Sequence, residues 1–286
     1  MLSNKVSEIM TTDLVKAPVA TTIFSVMETM VAEDVGRIII TDDEVPVGIF
    51  TEKDVLKRVV GTSIDAHKAS IREVMTAPVR AVREETHIVD AFARMYRGKY
   101  RHLLVRGRRG KIIGIVSMRR ILNLAVELGQ GISETRTLSD IPTSLIVSVD
   151  DSTTIQATVE LMNQQGLSAV IVSAAGSPLG IFTERDVLKR VATKNLDRQR
   201  SAIKDVMTAP LIAMPRTTLV GDVLAEMYRR DIRNMPVQDT PNQLRGLIAM
   251  PEILQYAQAF NIDEQVRRSW QEVAQALDTD DQYTPG

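Results

Sequence analysis

The chain carries 286 residues, no cysteine and a formal net charge of −1. This composition excludes disulfides, thiolate metal sites and cysteine nucleophiles, and it gives no chain-wide attraction for polyanions, so a charged partner must be recognised locally. The opening MLSNKVSEIM has no apolar core segment and no apolar run approaches ~18 residues. The sequence therefore reads as a cytoplasmic globular protein of about two domains, with no membrane partner.

In chain order, Thr21 or Thr22 can cap a helix that carries Ile23, Val26, Met27, Met30 and Val31 at helical spacing. Arg37-Ile38-Ile39-Ile40 is a short β-branched run, predicted to be a strand. The acidic turn Asp42-Asp43-Glu44 separates it from a second strand, Val47-Gly48-Ile49-Phe50. Thr51 ends that strand, and Val55, Leu56 and Val59 mark another helix. The unit reads strand–helix–strand–strand–helix.

That unit recurs. GIFTEKDVLKRV at Gly48 returns as GIFTERDVLKRV at Gly180, an offset of 132. IREVMTAP at Ile71 and IKDVMTAP at Ile203 keep the offset, as do Gly114 and Gly246. Each half is itself double, since Met10 and Met75 close similar M-T stretches 65 residues apart. The chain is thus four units of about 65 residues in A-B-A-B order. One such unit cannot bury its sheet and both helices, so pairing sheet to sheet is expected. The first pair spans 1–127, with units at about 1–62 and 68–127. A linker occupies 128–137, and the second pair spans 138–260, with units at about 138–193 and 200–260. Residues 261–286 stand outside the repeat. They carry Val266, Trp270, Val273, Ala274 and Leu277 at helical spacing before an acidic end. This stretch reads either as a contact for another protein or as a helix packed back onto the second pair.

Four units with M-T openings and G-I-F-T-E-[KR]-D-V-L closings resemble the CBS domain, whose pairs are known as Bateman modules. The resemblance covers nearly the whole chain apart from the linker and the C-terminal stretch. Its motif is specific in units one and three and degraded in units two and four. It implies an α/β (α+β) fold of four CBS units forming two Bateman modules, arranged as a disc with a pseudo-twofold axis. It also implies AMP, ADP, ATP or S-adenosylmethionine as ligands in clefts between paired units, with Mg as a companion of ATP. In that family the Thr and Asp of the closing motif hold phosphate and ribose. Those roles fall on Thr51 and Asp54 in the first module and on Thr183 and Asp186 in the second. Leu14 and Ile38 complete the first site, and Ile146 and Val170 complete the second.

The residues themselves leave two readings of the Thr/Asp pair. A helix beginning after Thr51 offers free N–H groups and a positive dipole end to a phosphate. Asp54, one turn on, can accept hydrogen bonds from vicinal ribose hydroxyls. Yet Thr-x-x-Asp is also a capping box, which needs no ligand. Unit two reads Ser117-Met-Arg-Arg120 at this place and unit four reads Ala249-Met-Pro-Glu252. The same helix is expected to start there without the pair, so its retention in units one and three points to a ligand.

The two halves differ in charge. Arg94 to Arg120 holds ten Lys/Arg and no acid, whereas Glu226 to Glu252 holds four of each sign. The turn residues Arg106, Arg108, Arg109 and Lys111 suit a solvated face. By the family resemblance, Arg101, His102 and Arg119 would face phosphates in the first module, and Arg233 and Asn234 would do so in the second. The first module is then expected to take ATP or ADP, and the second AMP or nothing. A nucleic-acid groove would also combine basic residues with aromatics such as Tyr96 and Tyr100. However, Tyr96 returns as Tyr228 in the charge-balanced half, which favours packing.

No catalytic constellation is present. The three histidines, His67, His87 and His102, lack metal-ligand spacing, and no G-x-S-x-G or phosphate-binding P-loop pattern occurs. The repeated carboxylates are assigned to ribose binding or capping. The expectation is a regulatory nucleotide-binding protein and no enzyme, with no metal site and no catalytic cofactor. It would act on a separate protein, and a homodimer is compatible with the repeat. A ligand-free scaffold is the alternative.

Overall fold

Thr22 sets the first helix. Its Oγ1 accepts from the Ser25 N–H at 3.3 Å, one of the orphan donors at a helix start. The helix Ile23–Ala32 buries Ile23, Val26, Met27 and Met30, the predicted stripe less Val31, which is partly buried. The strands Arg37–Asp42 and Val45–Thr51 pair antiparallel. Asp43 and Glu44 close their two-residue turn at φ of 44° and 63°, the left-handed backbone that suits the twist of a hairpin. A short strand, Lys16–Pro18, lies parallel to Arg37–Asp42 and completes a three-stranded sheet. The closing helix starts at Glu52–Asp54 and continues as a wider π turn, Val55–Val60.

This computed structural model describes residues 5–127, 136–194, 196–241, 243–250 and 252–253. Pro251, most of the expected linker and the Trp270 stretch lie outside the described residues. Among the described residues the three-stranded sheet recurs four times with the same strand order, and no helix is long and apolar enough to cross a membrane.

Packing follows from strand alternation. Ile38 and Ile40 point to the helices, whereas Ile39 meets Leu104 and Ile115 of unit two, with Leu14, Ile49, Val79, Ala81 and Ile112 around them. That is the expected sheet-to-sheet contact of the first pair. The helix side behaves differently. Units one and three share one core, built from residues such as Ile23, Phe50 and Leu56 on one side and Ile155, Phe182 and Leu188 on the other. Units two and four share another, with Phe92 and Ile121 joined by Val223 and Met227. The two modules therefore face each other across continuous apolar cores and do not merely sit in tandem. Asn163 Nδ2 and Arg198 Nη1 cross the same seam to the carbonyls of Leu56 and Val60, at 3.2 and 2.7 Å.

Each unit's opening segment folds onto its neighbour. Val6 and Ile9 enter the core of unit two, and Ile71 and Val74 enter that of unit one. Thr11 bridges to Ile115, Thr76 to Ile49, Ser144 to Leu247 and Thr208 to Ile181. The repeated glycines make room for this exchange. A Cβ on Gly180 would lie 2.6 Å from the Thr208 carbonyl oxygen, and one on Gly48 would lie 2.3 Å from Met75 Sδ.

Candidate functional site

The Thr/Asp pairs of units one and three form capping boxes. Asp54 Oδ2 accepts from the Thr51 N–H at 2.9 Å and from Thr51 Oγ1 at 2.7 Å. Its Oδ1 accepts from Thr76 Oγ1 at 3.0 Å and lies 3.5 Å from Arg58 Nη1. Asp186 repeats every contact, with Thr183 at 2.9 and 2.7 Å, Thr208 at 2.9 Å and Arg190 at 3.5 Å. Each aspartate thus caps its helix and also latches the Thr of the exchanged opening segment.

Units two and four keep the cap with other atoms. Ser117 Oγ accepts from the Arg120 N–H at 3.1 Å. Glu252 Oε2 accepts from the Ala249 N–H at 2.8 Å, and its Oε1 accepts from Ser144 Oγ at 3.4 Å. The cap is therefore remade where the Thr/Asp pair is absent, and retention of the pair does not by itself argue for a ligand. Burial raises the Glu252 carboxyl, opposed by those two hydrogen bonds.

The glutamate of T-E-[KR]-D pairs with an arginine of the other module, a role that the sequence reading did not give the repeated carboxylates. Glu52 and Glu184 are 2% and 5% exposed. Arg101 Nη2 donates to Glu184 Oε2 at 2.7 Å, and Arg233 donates to both carboxylate oxygens of Glu52. The two pairs are copies related by the 132-residue repeat, and each joins the two modules. Arg119 and Arg185 both bind Asp231, and Lys189 binds Asp34. Burial and the neighbouring charges of Arg119 and Arg233 push Arg37 down to about 10, against the pull of Glu52. Burial also opposes the charge of Arg101, but Glu184, Glu52 and Asp54 outweigh it and raise its pKa.

A cavity of about 190 Å³ opens where these groups converge. Thr183, Asp186, Arg233 and Asn234 of the second module line it together with Arg101 of the first, Ser168, Glu184 and Arg185. Arg101 thus faces the second module's motif loop, whereas the sequence reading placed it in the first module's cleft. Arg119 is held on Asp231 of unit four. His102 pairs in register with Ser117. Burial, together with Arg37, Arg101, Arg233 and Arg119, holds its pKa well below the ordinary histidine value. The neutral form fits packing among arginines better than a charged contact. Leu14 borders the sheet-to-sheet cluster, and Ile146 is half-buried outside the cavity lining. Ile38 and Val170 are fully buried in the core shared by units one and three, so their side chains are core and do not form a cleft wall. A larger cavity of about 360 Å³ lies beside Leu138–Thr143, Arg216 and Arg245. It holds none of these residues, and Asp239 engages both of its arginines.

A family model for the CBS domain matches residues 6–61, 71–127, 138–193 and 203–259, most of the chain. The meiotically up-regulated gene 70 protein of Schizosaccharomyces pombe is 26% identical over 274 residues, covering 74% of this chain and 38% of the relative. The chain spans less than half the length of the first curated relatives it matches. The crystal structure of protein MJ1225 from Methanocaldococcus jannaschii superposes with a TM-score of 0.78 at 19% identity, covering 88% of this chain and 99% of that one. The likeness is one of fold. A CBS-domain protein from Pyrobaculum aerophilum, PAE2072, was solved in complex with AMP. It is 25% identical, covers 41% of this chain and 88% of its own, and has a TM-score of 0.38.

Proposed function

This chain belongs to the CBS-domain family, and on that premise we propose that it is a regulatory protein whose second module binds an adenine nucleotide between the Thr183–Asp186 loop and the arginines of the facing units. The observation that carries this reading is the cavity that gathers Thr183, Asp186, Arg101, Arg233 and Asn234. A helix start with paired guanidinium groups opposite it suits a phosphate, because planar forks bind phosphate oxygens in pairs. The sulfonium of S-adenosylmethionine gains nothing from such a lining, so AMP, ADP and ATP are favoured over it. The first module carries the same loop, with Thr51 and Asp54 in matching geometry. Because the ligand would touch both modules, it shifts their relative arrangement by its differential affinity for the two states, and a partner reads that shift.

Calorimetric titration of AMP, ADP, ATP and S-adenosylmethionine into the nucleotide-stripped chain tests this. The proposal expects saturable binding of at least one nucleotide, weakened by Asn234→Ala. Absence of binding by all four, in a chain that melts cooperatively, would make the protein a scaffold.

A further inference from the structure

Glu184 and Glu52 occupy an unusual position. Each follows the motif threonine directly, and each is almost fully buried. A buried carboxylate is strongly disfavoured unless it is paired, and both partners are arginines of the other module. Those same two arginines line the cavity beside the Thr183 loop. Beside them Arg185 Nε is buried with no hydrogen-bond partner, 3.6 Å from Glu52 Oε1. The cavity, at about 190 Å³, is also below the ~300–1,000 Å³ usual for ligand pockets. It is therefore a basic recess whose anion position is filled by the protein's own carboxylates. A nucleotide cannot enter it without moving something.

We infer that Glu184 is a resident anion. A ligand phosphate exchanges for its carboxylate at Arg101 and competes with Glu52 for Arg233. The inference rests on the nucleotide reading and specifies how that site is regulated. Phosphate and carboxylate oxygens accept the same guanidinium fork, so the exchange is like for like. A carboxylate displaced beside a phosphate is repelled, and it leaves the buried position. Both contacts that the exchange opens tie one module to the other. Ligand entry thereby favours the arrangement in which the modules are less tightly joined. Adenosine, with no phosphate, has no means of making the exchange.

The test titrates AMP, adenosine and inorganic pyrophosphate into the full, stripped chain and into Glu184→Gln. The expected result is AMP and pyrophosphate binding about tenfold tighter to the variant, the scale of one charge-assisted hydrogen bond, with adenosine unchanged within about twofold. Equal or weaker AMP binding by the variant would overturn the exchange while leaving the nucleotide reading intact. If no adenosine compound binds but pyrophosphate tightens in Glu184→Gln, the nucleotide reading falls and the exchange stands. If pyrophosphate also fails to bind either protein, both fall. Should Glu184→Gln not fold, Glu184→Asp replaces it, since its shorter carboxylate holds Arg101 less well. AMP must again bind more tightly, and a lack of improvement would overturn the proposal.

Discussion

The motif loops of units one and three do the same local job as those of units two and four, with different atoms. Thr51/Asp54 and Thr183/Asp186 cap their helices, and Ser117 and Glu252 cap theirs. The residue after the cap separates the two classes. It is Glu52 and Glu184 in the first class and Met118 and Met250 in the second. The methionines are core side chains. The glutamates reach across to Arg233 and Arg101. Those arginines sit in the even units where the odd ones have Gly36 and Ser168, since Gly36, Arg101, Ser168 and Arg233 each accept a backbone hydrogen bond from the residue after the cap. Odd units supply the acid and even units the base, so the charge difference within a module becomes the attachment between modules. A helix cap is a local need that many residues satisfy. The cross-module pair is a relation between distant parts of the chain, and it is met by one arrangement only.

Removing one side of that relation should have the largest effect. Glu52→Ala leaves Arg233 facing Arg37 and Arg185 without its carboxylate, and it should destabilise the chain by about 3 kcal/mol in urea unfolding. A loss within about 0.5 kcal/mol would show that the pair is surface decoration. The glycine comparison comes next. Gly180→Ala meets a backbone carbonyl, whereas Gly48→Ala meets the flexible end of Met75. Gly180→Ala should cost about 2 kcal/mol and Gly48→Ala less, both measured by thermal melting. The latch is smaller still. Thr208→Val removes a hydrogen bond to Asp186 and should cost about 1 kcal/mol. Thr11→Val, in the segment that covers unit two, where Arg120 stands in place of the aspartate, should change stability by no more than about 0.5 kcal/mol.

The smallest effect concerns pH. Burial, with four arginines around it, depresses the folded-state pKa of His102, so the unfolded chain binds its proton first as pH falls. The contribution is present in full above the unfolded value, ~6.5, and is lost as pH drops below it toward the folded value. His102→Asn, which copies Asn234 of the other half, should flatten the fall in stability between about pH 7 and 5. An unchanged slope would mean that neither burial nor the arginines hold this ring's pKa down in the folded chain.

Much of the fold was legible because its causes are local or repeated. The Thr22 cap, the Ile23–Met30 stripe, the Asp43-Glu44 turn and the two long strands follow from short-range pattern. The 132-residue offset and the sheet pairing follow from repetition and from the size of one unit. The exchange of Val6–Thr11 onto unit two was not legible, since a segment's chain neighbours do not say which sheet it will cover. The sharing of cores between units one and three was missed for the same reason. Of the site, Thr183, Asp186, Arg233 and Asn234 line one cavity, while Ile38 and Val170 turn into the helix-facing core by strand alternation. The glutamates could have been found. Glu alternates with Met after the cap, and Arg alternates with Gly or Ser before the strand. Two such alternations in step are the mark of a charge pair between unlike units.

The most direct test is a crystal structure of the chain grown with AMP. The account predicts the phosphate between the Thr183 loop and Arg101, with the Glu184 carboxylate no longer on that guanidinium. AMP bound elsewhere, or bound there with the Arg101–Glu184 contact intact, would contradict it.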